Sequence, residues 1–109
     1  MFHKTLVAAA AAFVLVAGAA HAQVDEEAAK ALAKQNKCTK CHSVDKKKDG
    51  PSYQKTAEKY KGKPDAVEKL YTHLTTKPEI EVDGKKEEHT AVKGSDAEIK
   101  NLIAWILAQ

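Results

Sequence analysis

Both cysteines of this 109-residue chain fall within one five-residue stretch, Cys38-Thr39-Lys40-Cys41-His42. Two thiols at that spacing, with a histidine directly after the second, restrict what the chain can fold around. A thioredoxin-like redox motif would need a preceding strand and a βαβ context, whereas the residues before Cys38 read as a helix. A structural zinc site wants four ligands, commonly in two pairs. Cys38, Cys41 and His42 supply three, with no second pair of the same kind elsewhere. A plain disulfide between Cys38 and Cys41 would constrain the unfolded chain little, because short loops constrain it least.

The spacing C-x-x-C-H matches the attachment signature of a c-type haem. Each thiol can add to one vinyl group of the porphyrin, forming two thioethers, and the following histidine is then placed to ligate the iron. One covalently bound haem c, anchored at Cys38 and Cys41 with His42 on the iron, is therefore the expected cofactor. The rest of the chain wants such a body. It has one tryptophan and few large apolar residues beyond the N-terminal stretch. A small domain of this kind usually needs a staple or a large buried group.

The first 22 residues have the layout of a secretory signal peptide. "MFHK" is a basic start, "TLVAAAAAFVLVAGA" is an uncharged apolar run, and "AHA" places small residues before the expected cleavage after Ala22. The run falls short of the roughly 20 apolar residues that span a bilayer. A cleaved signal (1–22) and one exported domain (23–109), without stable membrane association, is the resulting expectation. All 18 basic residues are lysines, and removing Lys4 leaves 17 against 15 acids. That balance, without any arginine, argues against a nucleic-acid partner.

Four helices follow from the apolar spacing. Asp25 caps the first, with acids in its opening turn and a stripe at Ala28, Ala29, Leu32 and Ala33. The second follows Gly50-Pro51, carries Tyr53, Thr56, Ala57 and Tyr60 on one side, and stops at Gly62. The third starts near Pro64 and repeats Val67, Leu70, Tyr71 and Leu74 at i, i+3, i+4, i+7. On that stripe His73 falls towards the polar edge. "SDAE" at Ser95–Glu98 is a capping box opening the last helix, whose stripe is Ile99, Leu102, Ile103 and Ile106. Between the third and fourth lies a polar, turn-rich segment, with Asp83-Gly84 as a turn and a short hairpin over 80–87 as an option. The architecture is all-α.

Taken together, these features resemble the small bacterial class I cytochromes c, over nearly all of Gln23 to Gln109. The helix leading into "CTKCH", the Gly50-Pro51 pair, "SYQKTAEKYKGK" and the closing "SDAEIKNLIAWILAQ" occur in the family's order. The resemblance implies four to five helices wrapped around one covalent haem, with the N- and C-terminal helices crossing. It also implies that the Pro51 carbonyl accepts a hydrogen bond from His42, and that Trp105 and Tyr60 are core residues. The chain departs from the family at the second iron ligand, normally a methionine before the last helix. Its only methionine is Met1. His89, six residues before Ser95, stands where small relatives place that methionine, so the expected iron ligands are His42 and His89.

The function implied is that of a periplasmic, monomeric one-electron carrier rather than an enzyme, with a potential lowered by bis-histidine ligation. Lysines 37, 40, 46, 47 and 48 around the motif could steer an acidic redox partner. The competing class is a haem-based binder or sensor of nitric oxide, carbon monoxide or oxygen. It would require His89, on a segment with "DG" and "KG" as hinges, to leave the iron.

Overall fold

The computed structural model describes residues 23–109, so the signal-peptide reading of 1–22 lies outside the described residues. Helix α1 (Glu26–Gln35) begins at Asp25, whose side chain accepts from the backbone N–H of Ala28 at 3.0 Å. It buries Ala29, Leu32 and Ala33, while Ala28 faces solvent. A 3-10 turn, Cys38–Lys40, follows after Lys37 adopts a left-handed φ of 59°. Helix α2 (Tyr53–Tyr60) is capped by Ser52, and α3 (Ala66–Thr75) starts after Asp65. Helix α4 (Asp96–Leu107) opens with a complete capping box, Ser95 and Glu98 each bonding the other's backbone N–H. Such a cap contributes about 1 kcal/mol.

The segment between α3 and α4 forms the hairpin. Strands β1 (Glu79–Val82) and β2 (Lys85–Glu88) pair antiparallel, in register Ile80↔Glu87 and Val82↔Lys85. Asp83 and Gly84 both take positive φ, 51° and 77°, as a two-residue hairpin turn with the right twist requires. Among the described residues the fold is thus four α-helices with one small two-stranded sheet.

The core is built where α1, α2 and α3 meet α4. Leu102 and Ile103 are fully buried there, joined by Ala29, Leu32, Leu70, Leu74 and Ile106. The small side chains of α1 let its axis approach the broad isoleucine and leucine face of α4. Helix α3 is rotated relative to the stripe expected from sequence. It buries Ala66, Leu70 and Leu74, whereas Val67 is 44% exposed. The apolar face therefore follows i, i+4, i+8, and position 73 at i+7 joins that face instead of the polar edge.

Two asparagines fasten α1 to the C-terminal part of the chain. Asn101 accepts from the Asp25 backbone N–H at 2.9 Å and donates to the Asp25 carbonyl at 2.8 Å. Asn36 accepts from the Lys93 N–H at 2.8 Å and donates to the Lys93 carbonyl at 3.2 Å. Each amide thus mimics a backbone partner, which fixes the two helices in register as well as in contact.

Truncating Leu102 to alanine is expected to cost about 3 kcal/mol, because the methyl groups it loses leave a cavity. Asn101→Ala should cost only about 1 kcal/mol. Chemical denaturation of the holoprotein, followed by far-UV circular dichroism, gives both values.

Candidate haem site

The turn that carries the motif is closed by its own backbone. The N–H groups of Cys41 and His42 both point to the Cys38 carbonyl, at 3.2 and 2.9 Å. The loop 43–50 then folds back: His42 bridges Lys47, and the Gly50 N–H donates to the Cys41 carbonyl at 2.8 Å. Beyond it, the N–H groups of Tyr53 and Gln54 reach the carbonyls of Ser43 and Val44. The start of α2 is thereby tied to the residues just after the motif. Cys38 and Cys41 are half-buried. Burial, with Cys41 close by, pushes the Cys38 thiol up, which keeps it neutral.

His42 is held on three sides. Its Nδ1 lies 2.7 Å from the Pro51 carbonyl. A carbonyl only accepts, so Nδ1 carries the proton and Nε2 keeps the lone pair. The Tyr53 ring stacks on the imidazole at 5.5 Å and 20°, and itself meets Trp105 edge-on at 5.3 Å. Burial, with Cys38 nearby, pushes the Tyr53 phenol up to about 12. On the remaining side is Gly50, where an added Cβ would overlap Cε1 of His42 and lie 2.8 Å from Nδ1. Only a residue without a side chain leaves the imidazole its present place.

Facing His42 is His89, just after β2. Its backbone N–H donates to the Pro78 carbonyl at 2.8 Å, and the Val92 N–H caps the Leu74 carbonyl at the end of α3, also at 2.8 Å. The His89–Pro78 bond closes the base of the hairpin, and the Val92–Leu74 bond ties the chain after it to the end of α3. His89 Nδ1 lies 2.8 Å from the Thr90 carbonyl, and the same reasoning leaves Nε2 with the lone pair. The two ring centres are 6.3 Å apart, with the planes at 47°.

His73 completes the group, its ring centre 4.5 Å from that of His89. The sequence reading assigned His73 no part in the site; the rotation of α3 was the missing information. Burial first, then the neighbouring histidines, holds His73 below the usual imidazole range, and burial does the same for His89.

These side chains line one cavity of about 610 Å³. Its walls include Leu70, Leu74, Val92, Leu102 and Ile106, and both cysteines and all three histidines open onto it. A second cleft of about 620 Å³, between the end of α2 and the start of α3, has neither cysteine nor histidine on its walls.

The comparison with known proteins agrees with this geometry. Residues 26–109 match the family model for cytochrome c. The class 1 cytochrome MtoD of Sideroxydans lithotrophicus ES-1 is 55% identical, with a TM-score of 0.77, over 78% of this chain and 96% of that one. Cytochrome c-552 of Nitrosomonas europaea is 40% identical over 90% of this chain and 88% of its own length. Cytochrome c-552 of Hydrogenobacter thermophilus is 37% identical over 71% and 76%.

The chain belongs to the cytochrome c family. It is a monohaem electron carrier whose cofactor is covalently attached haem c, and it works with redox partners. The cavity of this cytochrome suits that group. Its volume lies within the about 300–1,000 Å³ of cofactor sites, its walls are largely apolar, and a pair of thiols stands beside an imidazole on one wall. Among the described residues no helix is long and apolar enough to cross a membrane.

Gly50→Ala is expected to displace the His42 ring and cost about 1–3 kcal/mol, read as a lower thermal midpoint at the Soret band. The Tyr53 phenol supplies an alkaline signature. In the unfolded chain it ionises near its ordinary value of about 10; in the fold it resists to about 12. Its contribution to stability is therefore complete below the lower pH and lost as pH rises through the higher. Tyr53→Phe should flatten the fall in stability between those limits in alkaline denaturation curves.

Proposed function

We propose that this cytochrome is exported, loses residues 1–22, and works in the periplasm as a monomeric one-electron carrier with two histidine ligands. Cys38 and Cys41 form the thioethers, His42 is the proximal ligand, and His89 is the distal one. The observation that carries the reading is the 6.3 Å between the His42 and His89 ring centres. Two imidazoles bound to opposite sides of one metal ion stand about this far apart, from two metal–nitrogen bonds of about 2 Å plus the ring radii. Both rings also present the same nitrogen: each holds its Nδ1 proton on a carbonyl, of Pro51 or Thr90, which leaves Nε2 for the iron.

When bound, the haem supplies an iron that passes between the ferric and ferrous states. The protein's residues decide how readily it does so. Donation from each Nδ1–H to a carbonyl makes the imidazole more electron-rich and fixes its orientation. Imidazole in place of the thioether removes the ligand that raises the potential of His/Met relatives. Both effects favour the ferric state and set a low midpoint. The backbone bonds of His89 and Val92, to Pro78 and Leu74, hold the distal wall in place, so little rearranges on electron transfer. With two axial ligands from the protein, no coordination position is left for a substrate, which favours a carrier over an enzyme or a gas sensor.

Lysines 37, 40, 46, 47 and 48 are exposed around the motif. Among the described residues none of the five sits in an ion pair. They present positive charge to an acidic redox partner in a salt-dependent encounter.

Replacing His89 by methionine should raise the midpoint potential in a spectroelectrochemical titration; an unchanged midpoint would remove His89 from the iron. The dithionite-reduced wild type should keep its low-spin spectrum under carbon monoxide, and a clear shift would favour the sensor reading.

A further inference from the structure

His73 has no part in the ligation just described, yet its imidazole lines the same cavity. It projects from the last turn of α3, between the buried Leu70 and Leu74. An imidazole on such a wall has to be desolvated, a cost that leucine or phenylalanine in the same place would not carry. Its ring centre is 4.5 Å from that of His89, at 54° between planes, so the two rings occupy adjoining volumes. They come from different elements: His73 from a packed helix, His89 from the connection after β2. Removing the His89 ring would open an imidazole-sized space directly beside His73. A change of staggered χ1 well moves an imidazole by several ångströms, enough to enter it.

We propose that His73 is a reserve axial ligand, which takes the distal position on the iron when the His89 imidazole is missing or displaced. The inference rests on the bis-histidine reading, since it assumes that His89 holds the position first. Its consequence is a site that stays six-coordinate through loss of one ligand. Small molecules then meet an iron guarded by two histidines in succession.

The test uses four holoproteins: wild type, His73→Ala, His89→Ala and the double variant. Each is measured in the ferric state by low-temperature electron paramagnetic resonance and in the ferrous state by carbon monoxide titration. His73→Ala should stay low-spin and inert to carbon monoxide, like the wild type. His89→Ala should stay low-spin with nitrogen ligation, and the double variant should turn high-spin. An internal ligand that must first leave lowers apparent affinity by the fraction of open sites. Carbon monoxide should therefore bind His89→Ala at least about tenfold more weakly than the double variant.

If His89→Ala is high-spin and binds carbon monoxide like the double variant, His73 does not reach the iron, and the inference falls while the bis-histidine reading stands. If His73→Ala turns high-spin while His89→Ala does not, His73 is the primary ligand and both readings fall. If all four proteins are low-spin and His89→Ala has the same g values and carbon monoxide affinity as the double variant, a group other than His73 fills the position in both, and the inference falls. Should His89→Ala fail to accumulate, His89→Asn preserves more of the side-chain volume and enters the same comparison.

Discussion

The helices of this cytochrome enclose a space that they cannot fill themselves. Leu70, Leu74, Leu102 and Ile106 belong to the buried core and also form the walls of the cavity. The haem is therefore the missing part of the core, and the contacts that stabilise the fold also exclude water from the cofactor. For a chain with this few large apolar side chains, covalent attachment makes that arrangement permanent. The cofactor stays joined to the motif even when the fold opens.

Around that space the two faces are built by different means. The proximal face is local. Cys38, Cys41, His42, Gly50, Pro51 and Tyr53 lie within one short stretch, and backbone bonds across the loop bring them together. The facing wall is assembled from afar, by a hairpin that the His89–Pro78 bond closes at its base and that Val92 ties to the end of α3. Both histidines nevertheless end in the same electrostatic condition, with an Nδ1 proton on a carbonyl. In haem sites generally, the potential is governed by the identity of the ligands, by the hydrogen bonds behind them and by the dryness of the walls.

Much of the fold could be read from residues alone because its signals are local. A capping box at Ser95–Glu98, an N-cap at Asp25 and an Asp83-Gly84 turn each carry their geometry within four residues. The hairpin, only an option in the sequence, forms because two consecutive positive φ values suit its turn. What escaped the reading was relational. The stripe on α3 could equally be centred on Val67 or on Ala66, since both positions flank Leu70 and Leu74 with acceptable helical spacing. Packing against α4 chose Ala66 and so turned His73 inward. The paired bonds of Asn36 and Asn101 were invisible for the same reason, as their partners lie 57 and 76 residues away.

The sequence by itself pointed to the cofactor, because thioether chemistry depends on two thiols and a histidine at a spacing that the covalent chain imposes. It also determined that no methionine beyond Met1 could serve the iron. Which imidazoles surround the cavity, and in what order of distance, was decided only by the tertiary structure. That order depends on the rotation of one helix and on where a hairpin is bonded to its end. Both are outcomes of packing, with no local residue pattern that encodes them.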